Sequence, residues 1–197
     1  MHPRRAIFLD RDGVVVEDVG PVVGSDQLRV IPGVPEALRR LHDAGFVLLL
    51  TTNQSVVARG LITEAQLEAI HAELGRLLVA GGGPTLDASY YCPHHPNATL
   101  PAYRVECACR KPRSGMLHRG RDEYAVDLSA SYMIGDRLTD IIAGAKAGCR
   151  TILVETGKHE DPPIQTSEPL DLSIRPDRTC ADLGAAADWI LANAGQV

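Results

Sequence analysis

The chain has 197 residues, 45% of them hydrophobic, which is enough apolar material for one core, so we predict a single domain over residues 1–197. A net charge of −5 and few aromatic residues argue against a nucleic-acid partner, and no apolar run is long enough to cross a membrane. Five cysteines cannot complete a disulfide framework and no cleavable leader is visible, so we expect a cytoplasmic protein with reduced thiols. We also expect a monomer.

Apolar runs alternate with amphipathic segments along the chain. The runs predict strands at 5–9, 46–50, 86–91, 131–134 and 151–154, with a sixth candidate at 172–174. Helical spacing of apolar residues predicts helices at 35–44, 63–79, 116–124, 138–147 and 181–194. Thr63 is the expected N-cap of the second helix.

The order of these elements predicts an α/β fold. Strand–helix alternation is typical of a doubly wound, mostly parallel Rossmann-like sheet, and no stretch is left over for a large cap domain. Residues 14–31 predict a loop or small hairpin flap, and residues 92–113, rich in Pro, His and Cys, predict a long functional loop. Ligands of open parallel sheets bind beyond the carboxyl ends of the strands, so the residues there are the candidates for chemistry.

Two carboxylates follow the first predicted strand. Asp10 and Asp12 can converge on one site because Gly13 permits a sharp turn of the backbone. One carboxylate could attack a phosphoryl group while the other exchanges a proton with the leaving oxygen and with water. Two solvated loop acids, or a calcium-type loop, are the alternatives for so short a motif.

Hydrogen-bonding side chains follow the second predicted strand. Thr52, Asn53, Gln54 and Ser55 offer a hydroxyl and amides that can donate to phosphate oxygens. A simple helix cap or turn is the alternative for this segment. Taken alone, these residues predict a phosphate contact only weakly.

Cations and further acids follow the next two strands. Arg110 and Lys111 suit a dianionic phosphate, although a solvated charge pair is the commoner fate of such residues. Asp136 could share one Mg²⁺ with Asp10 and Asp12, because this hard cation takes one or two carboxylates plus phosphate oxygens. Helix capping is the alternative for Asp136.

A cluster of cysteine and histidine lies in the long loop. Cys92, His94, Cys107 and Cys109 supply a Cys₃His set that suits a closed, four-coordinate zinc site, with His95 as a competing ligand. Reduced cysteines without metal, or nucleophilic Cys–His chemistry, are the alternatives. Such a zinc ion would be structural and would pin the loop that delivers the two cations after Cys109.

The four strand-end segments resemble the haloacid dehalogenase superfamily of phosphatases. They are Asp10-Arg11-Asp12-Gly13, Thr52-Asn53, Lys111-Pro112 and Gly135-Asp136-x-x-x-Asp140. The resemblance implies that Asp10 is the nucleophile and that Asp12 is the general acid and base, with a backbone carbonyl that also binds magnesium. It further implies that Thr52 and Lys111 hold the phosphoryl group and that Asp136 completes the magnesium site.

The cysteine segment resembles one family within that superfamily. Cys92-Pro93-His94-His95-Pro96, then Cys107-Ala108-Cys109-Arg110-Lys111-Pro112, is similar to the D-glycero-D-manno-heptose 1,7-bisphosphate 7-phosphatases. The resemblance implies a haloacid dehalogenase-like fold, a zinc-stabilised loop at about 92–109 with zinc on the four residues named above, and a small phosphorylated sugar as substrate.

The same resemblance suggests which residues meet the sugar. Arg110 and the flap residues Asp18 and Gly20 would lie near the substrate, as would Arg137, which stands where this family usually has lysine. A histidinol-phosphate phosphatase, or another small sugar-phosphate phosphatase, is the runner-up. The 12 residues between His94 and Cys107 favour the heptose enzyme.

Overall fold

A computed structural model describes residues 4–158 and 169–193 of the chain. The strands are β1 (Arg5–Leu9), β2 (Phe46–Asn53), β3 (Ala88–Cys92), β4 (Tyr132–Gly135), β5 (Arg150–Val154) and β6 (Arg178–Cys180). The helices are α1 (Val34–Asp43), α2 (Ser55–Ala58), α3 (Glu64–Ala80), α4 (Gly115–Tyr124), α5 (Leu138–Ala147) and α6 (Leu183–Asn193). Short 3₁₀ helices form at Ser25–Gln27, Pro101–Tyr103 and Leu128–Ala130.

The six strands form one sheet in the order β3-β2-β1-β4-β5-β6, and every pair is parallel. In the centre of the sheet Leu9 pairs with Leu50 on one side and with Ile134 on the other. The backbone N–H of Asp10 then donates to the carbonyl of Ile134 at 3.0 Å. This register brings the carboxyl ends of β1, β2 and β4 to the same edge, which is where the candidate residues follow.

Helices cover both faces of the sheet, as the prediction of a doubly wound fold requires. On one face, alternate strand residues such as Ile7 and Leu48 pack in a single apolar cluster with α1, α3 and α6. On the other face, Phe8 and Leu49 pack with α4, while α5 packs over β4 and β5. Because both faces are buried, β1 and β2 read as continuous apolar runs in the sequence.

The prediction of a sixth strand at 172–174 is wrong. Those residues form a turn, in which Asp171 Oδ1 accepts from the backbone N–H of Ser173 at 2.9 Å, and Leu172 is 59% exposed. The sixth strand is β6, a few residues later, where Cys180 pairs with Val154. Two apolar residues in this turn, Leu172 and Ile174, gave the same sequence pattern as a short buried strand.

Most other boundaries agree with the predictions to within a few residues. The N-cap of α3 is Thr63, whose hydroxyl accepts from Gln66 N at 3.2 Å in a capping box, which confirms that prediction. The strand predicted at 46–50 extends to Asn53, and the short helix α2 was not predicted. The last residue of the helix predicted at 181–194 lies outside the described residues.

The two irregular stretches are the predicted flap and the predicted long loop. Residues 14–31 form a flap over the carboxyl edge of the sheet, held by an isolated antiparallel bridge between Val16 and Val30. Residues 92–113 contain only one 3₁₀ turn. Within residues 4–158 and 169–193 no large cap domain covers this edge, in agreement with the prediction.

No helix among the described residues is long and apolar enough to cross a membrane. The cytoplasmic location, the monomeric state and the absence of a nucleic-acid partner stay predictions.

Candidate active site

Three buried carboxylates meet at the carboxyl edge of the sheet. Asp10 follows β1, Asp136 follows β4, and Asp140 lies in the first turn of α5. Each offers an oxygen atom within 4.8 Å of the others, which is close enough for one cation to contact all three. The sequence predicted that Asp10 and Asp136 share a cation, whereas Asp140 appeared only as a member of the fourth motif segment and had no predicted metal role.

Lys111 provides the positive charge beside this cluster. Its Nζ atom lies 3.1 Å from Asp10 Oδ1 and 2.5 Å from Asp140 Oδ1, and it donates to the carbonyl of Thr51 at 2.7 Å. The side chain is only 2% exposed. Burial by itself lowers the pKa of Lys111, but the two carboxylates outweigh it and raise that pKa, so the ammonium stays charged.

Asn53 fixes the backbone that carries this lysine. Its side-chain Nδ2 donates to the carbonyl of Lys111 at 3.0 Å, and its Oδ1 accepts from the N–H of Lys111 at 3.1 Å. This pair of bonds ties the end of β2 to the end of the long loop. Asn53, which was predicted to bind substrate, lines the cavity described below, and its amide also holds Lys111.

The second aspartate of the motif is held apart from the carboxylate cluster. Arg11 binds both oxygens of Asp12, through Nε to Oδ1 at 3.0 Å and Nη2 to Oδ2 at 2.9 Å. Gln54 Nε2 donates to Asp12 Oδ2 and to Thr52 Oγ1, each at 2.9 Å. Burial raises the pKa of Asp12 above its usual value, opposed by the charge of Arg11. A raised pKa suits a carboxyl group that must carry a proton.

Asp136 lies in a pocket that only glycines can form. Its Oδ2 accepts from the backbone N–H of Lys158 at 2.8 Å. A Cβ on Gly13 would lie 2.6 Å from that oxygen, and one on Gly157 would lie closer still. The expected alternative, helix capping, is wrong: the N-cap of α5 is Arg137, whose N–H donates to Asp140 Oδ2 at 3.0 Å.

The acid cluster fits a hard divalent cation. Burial, together with neighbouring Asp10 and Asp140, raises the pKa of Asp136 to about 7. The other oxygen of Asp136, Oδ1, is buried and has no hydrogen-bond partner among the described residues. Carboxylates crowded in this way repel one another unless a proton or a cation lies between them. Asp12 contributes no carboxylate oxygen to the cluster.

A cavity of about 470 Å³ opens above these groups. It is lined by all eleven residues predicted as catalytic or substrate-binding: Asp10, Asp12, Asp18, Gly20, Thr52, Asn53, Gln54, Ser55, Arg110, Lys111 and Arg137. Asp136 is buried beside the cavity and is not among its lining residues. Four segments that lie far apart in the sequence, from Asp10 to Arg137, therefore surround one space.

Positive charge gathers in this cavity although the whole chain is acidic. Its cationic lining residues are Arg59, Arg110, Lys111, Arg137 and Lys158. On the flap side, Asp18 Oδ2 lies 3.2 Å from Lys158 Nζ and 3.5 Å from Arg137 Nη2, while Asp18 Oδ1 accepts from Gly20 N at 3.0 Å. These contacts join the flap to the ends of β4 and β5.

Among the cavity residues that were not predicted to bind substrate are three with basic side chains, Arg59, His95 and Lys158. Lys158 follows β5, so the strand-end rule that found the other candidates would also have found it. Arg59 and His95 also line the cavity, and both lie near Arg110. His95 was expected to compete for a metal, but its Nδ1 accepts from the backbone N–H of Asn97 at 3.1 Å and it lies outside the cysteine cluster.

The four predicted zinc ligands converge in the long loop. Cys92, His94, Cys107 and Cys109 offer ligand atoms within 4.8 Å of one another, and all three cysteines are free of disulfides. Cys92 Sγ lies 3.6 Å from Cys107 Sγ, 3.0 Å from Cys109 Sγ and 3.7 Å from His94 Nδ1. Three sulfur atoms and one imidazole nitrogen so arranged fit a tetrahedral zinc ion.

This cluster adjoins the cationic wall of the cavity. The Nη1 atom of Arg110 donates to the carbonyl of His94 at 2.8 Å, and the guanidinium is buried. On the outer side of the loop, Tyr103 donates to Glu64 Oε1 on α3 at 2.9 Å. The expected alternative for Arg110 and Lys111, a solvated charge pair, is therefore wrong, because both side chains are buried.

Known proteins resemble this chain over nearly its whole length. It is 42% identical over 187 residues to the D-glycero-beta-D-manno-heptose-1,7-bisphosphate 7-phosphatase of Escherichia coli strain K12, which covers 94% of this chain and 87% of that protein. It is also 42% identical over 191 residues to the D-glycero-D-manno-heptose-1,7-bisphosphate 7-phosphatase of Thermosynechococcus vestitus, with 95% and 96% covered.

A solved structure and a family model agree with these relatives. The D,D-heptose 1,7-bisphosphate phosphatase of B. bronchiseptica, crystallised with magnesium and phosphate, superposes with a TM-score of 0.80 at 39% identity, covering 96% of this chain and 99% of that one. The HAD-hydrolase-like family model matches residues 108–186. The chain is thus a phosphoric monoester hydrolase, as predicted. It belongs to the heptose 1,7-bisphosphate 7-phosphatase family of the haloacid dehalogenase superfamily.

Proposed function

We propose that the chain removes the 7-phosphate of D-glycero-D-manno-heptose 1,7-bisphosphate by way of a phosphoaspartate on Asp10. The observation that carries this proposal is the pairing of a buried carboxylate with a buried ammonium, Asp10 with Lys111, at the floor of a cationic cavity. The named relatives at 42% identity act on this bisphosphate.

The first half of the reaction forms the phosphoenzyme. A carboxylate oxygen of Asp10 attacks the phosphorus atom, the bond from phosphorus to the sugar oxygen breaks, and Asp12 gives its proton to that leaving oxygen. The raised pKa of Asp12 keeps such a proton available. The products of this half are a free sugar hydroxyl, a phosphoaspartate and an ionised Asp12.

The second half restores the enzyme. Ionised Asp12 accepts a proton from water as the water oxygen attacks the phosphorus atom, and the bond from phosphorus to Asp10 breaks. Inorganic phosphate leaves, and Asp12 is again protonated. Both halves therefore use the same two carboxyl groups, one as nucleophile and leaving group and one as acid and base.

Charge neutralisation makes the attack of one anion on another feasible. Lys111 and the hydroxyl of Thr52 would hold the phosphoryl oxygens, since both line the cavity beside Asp10. Asp10, Asp136 and the backbone carbonyl of Asp12 would hold Mg²⁺, and the position of Asp140 makes it a further partner or an orienting group. When bound, this ion supplies positive charge to the transferring group.

The remaining cavity residues would recognise the sugar. Arg110 lines the cavity, with its guanidinium held by the carbonyl of His94, and would contact the substrate. Asp18 and Gly20 on the flap, Ser55, and Arg137 would contact the heptose and its second phosphate. Zinc on the cysteine cluster would be structural and would keep the loop at about 92–109 in place. We also propose that residues 1–197 form one phosphatase domain.

Phosphate release from a substrate panel tests this function. The panel contains both anomers of heptose 1,7-bisphosphate, histidinol phosphate and fructose 1,6-bisphosphate, each with and without Mg²⁺. We expect the highest kcat/KM on a heptose bisphosphate, with loss of activity when Mg²⁺ is chelated. Activity on histidinol phosphate alone would reverse the assignment in favour of the runner-up, and activity that survives complete chelation would contradict the role of Mg²⁺.

A further inference from the structure

Arg11 lies between the two aspartates of the motif, yet it does not face the substrate. Its side chain is 1% exposed and is not among the residues that line the cavity. The guanidinium instead binds both oxygens of Asp12, donates to Gln54 Oε1 at 3.0 Å and lies 3.4 Å from His71 Nε2. Two bonds from one planar guanidinium hold the carboxylate in the guanidinium plane, so the orientation of the Asp12 carboxylate is set.

Gln54 completes the hold on Asp12. Because Arg11 can only donate, the Gln54 oxygen must face it, and this fixes the Gln54 nitrogen toward Asp12 Oδ2 and Thr52 Oγ1. Each of the two hydrogens on that nitrogen then has one acceptor. The same amide group thereby links the proton-transferring carboxyl to the hydroxyl expected to hold the phosphoryl group.

The Asp12 carboxylate keeps one acceptor site free for proton transfer. A carboxylate has about four lone-pair sites. At Asp12, Oδ2 accepts two bonds, from Arg11 and Gln54, and Oδ1 accepts one, from Arg11. One site is left, on Oδ1, in a side chain that is 22% exposed and lines the cavity. The proton that reaches a leaving group would therefore be carried on Oδ1.

We propose that Arg11 and Gln54 are positioning residues that clamp Asp12, so that Oδ1 is the oxygen that exchanges the proton with the leaving group and with water. The proposal rests on the proposed function of this site. It adds to that function a role for Arg11, the residue between the two aspartates. Positioning of this kind acts on proton transfer and not on substrate affinity, because the Arg11 side chain does not line the cavity where the substrate would bind.

The variants Arg11→Lys and Gln54→Met test the clamp. Arg11→Lys keeps the charge and loses the two-pronged contact, and Gln54→Met is close in shape and loses the amide. We expect kcat on the heptose bisphosphate to fall on the order of 10- to 100-fold with KM changed by less than about twofold, within the range that acid–base catalysis supplies. Arg121→Ala is the matched control, since Arg121 also contacts the aspartate that follows it, Asp122, but on the surface.

Leaving-group dependence separates positioning from a general structural effect. p-Nitrophenyl phosphate expels an alcohol that needs little protonation, whereas phenyl phosphate and the sugar phosphate expel poorer leaving groups. We expect the clamp variants to lose about tenfold more kcat/KM on phenyl phosphate than on p-nitrophenyl phosphate. Equal losses on both esters, or a raised KM with an unchanged kcat, would overturn the clamp.

The possible failures can be told apart. A wild type that hydrolyses the aryl phosphates but no heptose bisphosphate overturns the proposed substrate, while the comparison of the two aryl esters still decides the clamp. If the wild type hydrolyses only the bisphosphate, the clamp proposal is decided on that substrate, by whether the variants lose kcat or gain KM. If Arg11→Lys does not fold, judged by its melting transition, Gln54→Met carries the test. A wild type inactive on every phosphate monoester overturns both proposals.

Discussion

The ammonium of Lys111 lies 3.1 Å from the Oδ1 of Asp10, and the same nitrogen lies 2.5 Å from the Oδ1 of Asp140. The proposed nucleophile is thus paired with a cation before any substrate binds, and the lysine is anchored from a second side by Asp140. A phosphoryl group that enters between them meets both its attacking oxygen and the charge that neutralises it. This relationship depends on a loop residue, an acid at the end of β1 and an acid in the first turn of α5, which lie far apart in the sequence.

The crowded acids predict a pH-dependent effect of Mg²⁺ on stability. Burial raises the pKa of Asp136 to about 7 and that of Asp140 to about 6, so the metal-free folded state holds protons that the unfolded chain releases near pH 4. Its stability should therefore fall as the pH rises from about 4 to about 7. Mg²⁺ should raise Tm more at about pH 8 than at about pH 5.5, because it must displace protons at the lower pH.

Thermal unfolding with and without Mg²⁺ at the two pH values checks this prediction. Asp136→Asn is the control, since it removes one acid and should reduce both the pH effect and the Mg²⁺ effect. An equal rise in Tm at both pH values would contradict the idea that the cation and the protons compete for the same carboxylates.

Asn53→Ala should lower activity by way of Lys111. The variant loses the two hydrogen bonds to the backbone of Lys111, worth about 1 kcal/mol each. We expect kcat to fall ~10-fold or more, because the ammonium loses its fixed position, and Tm to fall slightly. Steady-state kinetics check this, with Asn193→Ala as a control that removes a single bond to the carbonyl of Trp189 on α6. Unchanged kcat in Asn53→Ala would refute the anchoring role.

The cysteine cluster predicts that zinc supports activity from outside the cavity. Freshly purified protein should contain about one zinc per chain, and Cys107→Ala should contain far less. We expect that variant to lose several degrees of Tm and most of its kcat, because Arg110 and Lys111 follow Cys109 directly. Metal analysis, melting and kinetics measure these effects.

Cys149→Ala is the matched control for the zinc prediction. Cys149 is a buried free cysteine outside the cluster, so its removal should leave the zinc content unchanged. Wild-type protein without zinc, or full activity in Cys107→Ala, would show that the loop is held in another way.

Gly13→Ala should disturb the acid cluster. The substitution puts a Cβ 2.6 Å from Asp136 Oδ2 at a residue with φ +79°, which together should cost about 1–3 kcal/mol of stability and displace the carboxylate. Gly45→Ala isolates the backbone contribution, since Gly45 has φ +87° and nothing within 4 Å of its Cβ position. Melting and Mg²⁺ titration of the two variants should show weakened Mg²⁺ binding in Gly13→Ala alone. Similar Mg²⁺ affinities in both would contradict the close approach.

Much of the fold and site could be predicted because parallel strands are buried on both faces. The apolar runs that give β1, β2 and β4 mark their own carboxyl ends, and the sheet brings those ends together. The position of Asp140 was less predictable, because its contact with Lys111 depends on how α5 leaves β4. The spacing of residues in the sequence does not indicate the angle between β4 and the axis of α5.

The clamp on Asp12 could not be predicted either. An arginine between two aspartates is usually solvated, and its burial here depends on Gln54 from the end of β2 and His71 from α3. The turn at 172–174 shows the opposite failure, in which local apolar residues suggested a strand that the tertiary structure does not contain. Both misses arise where packing between distant segments overrides the local pattern.

Trapping the phosphoenzyme tests the central claim most directly. In Asp12→Asn the second half-reaction should be slowed more than the first when the substrate is p-nitrophenyl phosphate, because its leaving group needs little protonation. Rapid acid quenching after mixing with this ester and Mg²⁺, followed by peptide mass spectrometry, should find one phosphoryl group on Asp10. Asp10→Asn should carry none and should lose activity by several orders of magnitude. A phosphoryl group on another residue, or substantial turnover by Asp10→Asn, would contradict the account.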